Sequence, residues 1–338
     1  MSIYTVKRLL CLLLALVLCA PFAACGAETG GDSSVSEAES SEYSLEEDSS
    51  AESAASEQSF AEASSEEESS EEASSAVAVT DPGMPRNQCD EVYTADSIDS
   101  YFDGSVFIGY SIMMHFGRYI NEWRSEIDGS YFGTARFCAG VGMNFRKDES
   151  ATPDSEGAEG LPMYQGKAYN FADLPAATGC DTLYIGLMGF GDLKYPNDKS
   201  NCARNGYQCT KRGIIRIREK NPDLNIVILS STYHTGDDDS QKLMKKGITN
   251  ENIRKYNNMV LEYCNEVGID FIDVSTCLTT YGGNLVKAYT TDGSYHIQKR
   301  AYDLWVDILR DYARAKTEGT WENLREMPPL VHPDLEME

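Results

Sequence analysis

Five short apolar runs alternate with segments of helical periodicity after residue 95, and this alternation limits the fold more than any other feature of the chain. The runs lie at residues 105–109, 135–140, 182–187, 225–230 and 269–274. One intervening segment, 253–267, repeats apolar residues at helical spacing, with Thr249 or Asn250 as its cap and Gly268 as its end. Continuous apolar strands separated by helices are typical of a parallel sheet that is covered on both faces. The sequence therefore predicts a doubly wound α/β domain at 95–317, with about five parallel strands and helices on both faces.

The loops after these strands are where a functional site is expected, because ligands bind beyond the carboxyl ends of parallel strands. The first run leads directly into Ser111 at a strand-to-helix turn. A serine there suits a nucleophile whose own N–H helps to hold an oxyanion, and it equally suits a helix N-cap. His115, one helical turn later, could line the same cleft or pack on the helix face.

Two glycine-rich loops and a pair of ionisable residues occur at the ends of other elements. The loops contain Gly142 and Gly191. Glycine there lets the backbone approach a ligand closely or forms a plain turn. Asp292 and His296 come just before the last helical segment. Because a histidine can act as the general base for a serine and an aspartate can orient that histidine, this set favours nucleophilic catalysis.

Taken in chain order, these blocks resemble those of the SGNH/GDSL hydrolase family over residues 95–317. Phe107–Ser111 resembles the first block, the Gly142 loop the second, Leu187–Leu193 the third and Asp292–His296 the last. Met163–Lys167 is similar to a stretch seen in secreted members from anaerobic Gram-positive bacteria. The resemblance implies a flavodoxin-like fold and a serine esterase that acts on short O-acyl groups of cell-surface or environmental glycans.

The resemblance also implies roles for individual residues. Ser111 would be the nucleophile, His296 the general base and Asp292 the group that orients the imidazole. The N–H groups of Ser111 and Gly142 would form part of the oxyanion hole, with Gly191 at the third position of that hole.

Three features depart from the family pattern. Tyr110 replaces the aspartate of the first block, and Gly191 stands where the third block carries an asparagine that donates to the oxyanion. Asn144 or Asn197 would be a substitute donor. The acid and the histidine of the last block are four residues apart, where three is the common spacing. The alternative to an esterase is therefore a catalytically impaired domain of the same fold that binds glycan or peptidoglycan.

The N-terminal segment, 1–25, has the features of a secretory signal. An apolar run, Leu9–Leu18, follows two basic residues and is too short to span a bilayer as a stable helix. Cys25 follows small residues in a pattern that resembles the bacterial lipobox, whose cysteine is acylated. We expect a lipoprotein anchored through Cys25 at the extracellular face of the bacterial cell membrane. A plain signal cleaved after Ala24, which would give a secreted protein, is the alternative.

Charge and composition divide the rest of the chain. The net charge is −25, but 16 of the 54 acidic side chains lie in residues 26–80, where there is no Lys or Arg. This Ser/Glu-rich segment is predicted to be a disordered, extended tether, and 318–338 is predicted to be a C-terminal tail. The acidic balance argues against nucleic-acid binding. The expected partners are a small-molecule or glycan ester and, through the anchor, the membrane.

Motifs for cofactors and metals do not occur in the sequence. There is no Walker loop and no GxGxxG after a strand, so no nucleotide cofactor is expected. There is no CxxC pair, so no metal is expected. Cys202 and Cys209 are near enough in sequence to close a small disulfide loop, and Cys138 is predicted to be a buried thiol.

Overall fold

The structure is a computed structural model that describes residues 94–150, 153, 160–186, 189–194, 201–280 and 283–330. All of them belong to one compact unit of the chain, Ser75–Glu338. The predicted signal segment 1–25, with Cys25, and the predicted tether 26–80 lie outside the described residues.

A parallel sheet of five strands organises the domain. The strands are β1 (Val106–Ile108), β2 (Arg136–Phe137), β5 (Thr182–Gly186), β6 (Asn225–Leu229) and β7 (Asp270–Ile272), with a separate antiparallel hairpin of β3 (Met163–Tyr164) and β4 (Lys167–Ala168). The order across the sheet is β2-β1-β5-β6-β7, and all its pairs are parallel. Phe107 of β1 is paired between Phe137 and Tyr184, and its ring stacks on both, with centroids 5.0 and 4.2 Å away. The predicted sheet is confirmed.

Eight α-helices accompany the sheet in the described part of the chain. They are α1 (Ser111–Glu126), α2 (Phe145–Ser150), α3 (Leu174–Thr178), α4 (Gly189–Leu193), α5 (Cys202–Lys220), α6 (Gln241–Lys245), α7 (Asn250–Val267) and α8 (Lys299–Glu318). Short 3₁₀ turns lie at Ser97–Phe102, Asp238–Ser240, Thr276–Leu278 and Lys287–Tyr289. No helix within the described ranges is long and apolar enough to cross a membrane.

The strand order places the long helices on two faces. The chain steps from β1 to β2 in one direction and from β5 through β6 to β7 in the other. Because parallel crossovers are right-handed, this reversal puts α1 on the face opposite to α5 and α7. Contacts agree, since α1 packs with α8 and α5 packs with α7. The doubly wound arrangement predicted from the sequence is confirmed.

The caps of α7 are those that the sequence indicated. The Thr249 side chain accepts a hydrogen bond from the Asn252 N–H, and Gly268 ends the helix in the left-handed conformation. Both ends of this helix are therefore determined by local chemistry.

The packed region extends past the expected end of the domain at residue 317. Met327 is fully buried, and Arg254 donates to the carbonyls of Met327 and Pro328. The Asn323 side chain accepts from the Phe271 N–H of β7. Residues 319–330 of the expected tail thus lie against the domain, and 331–338 lie outside the described residues.

The suggested Cys202–Cys209 disulfide is not formed. Both residues lie on α5, two turns apart, which separates their Cα atoms by about 10.5 Å. A disulfide needs Cα atoms closer than about 7 Å. The Cys202 thiol instead donates to the Gly247 carbonyl. Cys138 is buried, as predicted.

Candidate active site

Ser111 is the first residue of α1, directly beyond the carboxyl end of β1. The turn is tight, since a Cβ atom at Gly109 would lie 2.6 Å from Met113 Cβ. Tyr110 occupies the N-cap position and makes no capping hydrogen bond with its side chain. The interpretation of Ser111 as the N-cap of this helix is therefore wrong, and its hydroxyl is free of that role.

The side chains of Ser111, His296 and Asp292 form a chain of hydrogen bonds. Ser111 Oγ lies 2.9 Å from His296 Nε2, and His296 Nδ1 lies 2.6 Å from Asp292 Oδ2. The second Asp292 oxygen, Oδ1, accepts from the backbone N–H groups of Ser294, Tyr295 and His296 at 2.8, 3.0 and 3.2 Å. The structure thus brings Ser111 into contact with His296, which lies 185 positions later in the chain.

Charge in this group is concentrated on the Asp292 carboxylate. Burial acts to raise the pKa of Asp292, but the Ser294 N–H and the His296 ring outweigh it, so the pKa lies below its ordinary value. The carboxylate is therefore ionised at neutral pH. It holds the imidazole with the Nδ1 proton toward Asp292 and the Nε2 lone pair toward Ser111.

Aromatic side chains form one wall of the site. The Tyr295 ring lies 4.2 Å from the His296 ring, and Phe190 contacts Tyr295 and Tyr110 at centroid distances of 5.0 and 6.0 Å. The Tyr110 hydroxyl lies 3.0 Å from Thr232 Oγ1, in the loop after β6. The residue that replaces the expected aspartate therefore connects the loops after β1 and β6.

His115 borders the same group of residues. Its ring centroid lies 5.7 Å from that of His296. Burial, followed by the charges of His296 and Arg118, lowers the pKa of His115 below its ordinary value. His115 thus lines the site, as one of the two sequence interpretations expected.

The loop after β2 runs beside the turn that carries Ser111. The Gly140 N–H donates to the Gly109 carbonyl at 3.1 Å, and Gly142 has a φ of +69°, which favours glycine. Asn144 closes this loop, donating from Nδ2 to the Gly142 carbonyl and accepting at Oδ1 from the Lys147 N–H. The side chain of Asn144 is therefore bonded within its own loop.

Gly191 lies directly against Asn144. A Cβ atom at residue 191 would come within 2.7 Å of Asn144 Nδ2, so no side chain fits while Asn144 stays where it is. Asn144, one of the two proposed substitutes for the missing oxyanion-hole donor, therefore lies next to Gly191. Asn197, the other, lies outside the described residues.

Asp192 was not assigned a role from the sequence, and the structure gives it one. It is fully buried, and its two oxygens accept from the N–H groups of Phe145 and Arg146 at 3.1 and 3.0 Å. Burial raises the pKa of Asp192 to about 7, although these hydrogen bonds favour the ionised form. Asp192 ties α4 to the start of α2, and with it the loops after β5 and β2. No local sequence signal marks a contact across 47 residues.

In the described part of the chain, no group of three or more His, Cys, Asp or Glu side chains is arranged to hold a metal ion.

Neither a family model nor a curated protein matches this sequence. Solved structures similar to this chain include lipases and hydrolases of the GDSL type. A protein from Streptococcus pneumonia, provisionally described as a platelet activating factor, is 20% identical over 62% of this chain and 84% of its own, with a TM-score of 0.43. A GDSL-like lipase from Bacteroides thetaiotaomicron is 13% identical over 63% and 88%, with a TM-score of 0.42. An extracellular lipase from Streptomyces rimosus is 15% identical over 61% and 98%, with a TM-score of 0.38. At these identities the roles of residues depend on the geometry of this chain itself.

Proposed function

We propose that this protein is a serine ester hydrolase of the SGNH/GDSL type, with Ser111 as nucleophile, His296 as general base and Asp292 as the group that orients the base. One observation carries the proposal: the continuous contact from Asp292 through His296 to Ser111, at 2.6 and 2.9 Å. The 2.9 Å distance lies in the range needed for proton transfer between a nucleophile and its base, and the 2.6 Å distance is that of a hydrogen bond that orients the base.

The reaction would proceed in two steps. Ser111 Oγ attacks the ester carbonyl while its proton passes to His296 Nε2, and the imidazolium then gives that proton to the departing alcohol. An acyl group remains on Ser111. Water, deprotonated by His296, attacks the acyl carbon, and the acid leaves as Ser111 recovers its proton. Asp292 stabilises the imidazolium in both steps.

The developing oxyanion would be held mainly by backbone N–H groups. The first N–H groups of α1 have no partner within the helix, and the Tyr110 side chain does not cap them. Gly142, in the adjoining loop, would supply a second donor. Gly191 contributes no side-chain donor, and a single such donor is typically worth about 10²–10³ in kcat. We therefore propose an active but slow enzyme.

The substrates that we propose are short O-acyl groups on glycans. The His296 and Asp292 side chains are 24% and 35% exposed, so the site opens at the surface and is accessible to groups carried by a polymer. The sequence pattern around Cys25 supports lipid attachment outside the cell. An acidic tether behind that anchor would let the domain reach surface glycans.

Labelling with a fluorophosphonate tests the nucleophile directly. We expect the wild type to be labelled and Ser111→Ala to remain unlabelled. Ser125→Ala is the matched control, because Ser125 is an exposed serine of the same helix. A wild type that is never labelled would favour the glycan-binding alternative, and equal labelling of Ser111→Ala would refute Ser111 as the nucleophile.

Asp292→Asn tests the orienting acid. The amide would still accept from the backbone N–H groups, but its NH₂ would face His296 Nδ1 and place the remaining ring proton toward Ser111. We expect kcat for p-nitrophenyl acetate to fall by about 10²–10⁴. Asp223→Asn, at an exposed position, should leave kcat unchanged. A loss of less than about tenfold in Asp292→Asn would contradict the assigned role.

A further inference from the structure

The first turns of α1 present a histidine and an arginine next to the proposed site. Ser111, His115 and Arg118 follow one another at intervals of four and three residues, so they lie on one side of the helix. The His115 ring lies 5.7 Å from the His296 ring, which places this face at the border of the site.

Arg118 leans back along the helix toward Ser111. Its Nη2 atom lies 3.9 Å from the Met114 sulfur, one turn nearer the N-terminus, and a thioether is only a weak acceptor. The side chain is exposed, and none of the ion pairs formed by the described residues involves it. Arg118 lies seven residues after Ser111, about 10.5 Å along the axis, and its side chain reaches back over that distance as far as the Met114 sulfur.

Two carboxylates that border this face are already engaged. Asp292 binds the His296 ring and three backbone N–H groups. Glu122, one turn beyond Arg118, pairs with Lys299 of α8. The first turn of α1 contains no acidic residue, and the positive end of the helix dipole adds to the positive potential of the Arg118 side chain.

The pKa of His115 lies below its ordinary value. Burial lowers the pKa of His115, and the charges of His296 and Arg118 lower it further. His115 is therefore mostly neutral at pH 7, so Arg118 supplies the positive charge of this face and the imidazole offers an N–H donor.

We propose that His115 and Arg118 form a subsite for an anionic group, a carboxylate or a phosphate, carried by the ester substrate within two helical turns of the bond that Ser111 attacks. The inference rests on the proposed hydrolase function and narrows its substrate class to anionic esters. Arg118 would supply the charge-assisted hydrogen bonds, and the His115 imidazole would donate one more from the side of the triad.

Three aryl acetates of similar shape test the subsite: methyl 4-acetoxybenzoate, 4-acetoxybenzoate and 4-acetoxyphenyl phosphate. The kcat/KM of each ester is divided by its rate constant for hydroxide-catalysed hydrolysis, which removes differences in leaving-group reactivity. We expect the resulting ratio to be about tenfold higher for an anionic ester than for the methyl ester, and the difference to shrink as salt is added. The two anionic esters distinguish a carboxylate from a phosphate.

Variants of Arg118 complete the test. Arg118→Ala should reduce the preference for the anionic ester by about five- to tenfold, and Arg118→Lys should retain part of it. Arg218→Ala is the matched control, because Arg218 is exposed in the last turn of α5. That turn leads into β6 and so lies near the amino ends of the strands, away from the proposed site. If the wild type hydrolyses the methyl ester but shows no preference for the anionic esters, the subsite is refuted and the hydrolase proposal is unaffected. The same conclusion follows if the preference for the anionic esters is retained in Arg118→Ala. A wild type that hydrolyses none of the three esters overturns both proposals.

Discussion

One residue in the left-handed backbone conformation lets the Asp292 side chain reach the His296 ring, although the two residues are four positions apart. Gly293 has a φ of +69°, and the turn that it makes directs three backbone N–H groups at one oxygen of Asp292. The other oxygen is left for the imidazole. A side chain at Gly293 would be strained by this φ, and its Cβ would lie 2.7 Å from Asp239 Oδ2. The unusual spacing is therefore absorbed by local backbone geometry, with no need for another acid.

Asp192 makes the stability of the fold depend on pH. Its ordinary pKa is 3.8, and burial raises the pKa in the folded protein to about 7. The folded state thus binds this proton more tightly than the unfolded chain. The resulting stabilisation is complete below about pH 3.8 and is lost as pH rises through about 7.

Asp192→Asn should remove this dependence. We expect the free energy of unfolding of the wild type, minus that of Asp192→Asn, to fall by up to about 4 kcal/mol between pH 4 and pH 8. Urea unfolding of both proteins at several pH values measures it, since other titrating groups cancel in the difference. Asp223→Asn, at an exposed position, is the control for the effect of an Asp→Asn substitution itself. A difference for Asp192→Asn that stays flat with pH would contradict the raised pKa.

At the scale of elements, α1 is held against the edge strand β2 by a glycine. A Cβ atom at Gly117 would lie 2.6 Å from Phe137 Cβ. The helix and the strand can therefore approach this closely only because residue 117 has no side chain. Because the same helix begins with Ser111, this contact helps to determine where the serine lies relative to His296.

Gly117→Ala is therefore expected to destabilise the domain, although alanine is the better helix former. We expect a loss of about 1–3 kcal/mol in urea unfolding, since a buried collision outweighs the gain in propensity. Gly129→Ala is the control, because a Cβ atom there meets nothing within 4 Å. A neutral or stabilising effect of Gly117→Ala would show that α1 is free to shift.

At the scale of the whole molecule, a buried ion pair joins the two ends of the domain. Arg310 of α8 binds both oxygens of Asp99, in the first 3₁₀ turn, at 2.8 Å, and the two side chains are 4% and 2% exposed. Asp99 also accepts from the Phe132 N–H. One turn further along α8, Arg314 pairs with Asp96 while remaining 43% exposed.

These two arginines of one helix allow a matched comparison. Arg310→Ala leaves a buried carboxylate without its partner, and we expect a loss of about 3–5 kcal/mol in the free energy of unfolding. Arg314→Ala should cost less than about 1 kcal/mol, because water screens an exposed pair. Similar losses in the two variants would show that burial does not govern these ion pairs.

The regular elements could be predicted because their signals are local. The apolar runs of the five strands and the helical spacing before Gly268 depend only on neighbouring residues, and the structure follows them. Ser111 and His296 could be selected because each lies where a strand or loop meets a helix. The disulfide between Cys202 and Cys209 was wrong because sequence proximity does not measure distance along a helix.

The sequence alone determined the parallel α/β sheet, the edge of that sheet at which a site was to be found, and the candidate residues at that edge. Only the tertiary structure decided that Asn144 fills the space at Gly191 and that Asp192 joins two loops. It also decided that residues 319–330 pack on the domain. The physical reason is that helical and strand periodicity depends on neighbouring residues alone. These contacts instead join residues far apart in the chain, and the distance between such residues depends on how all the intervening elements pack.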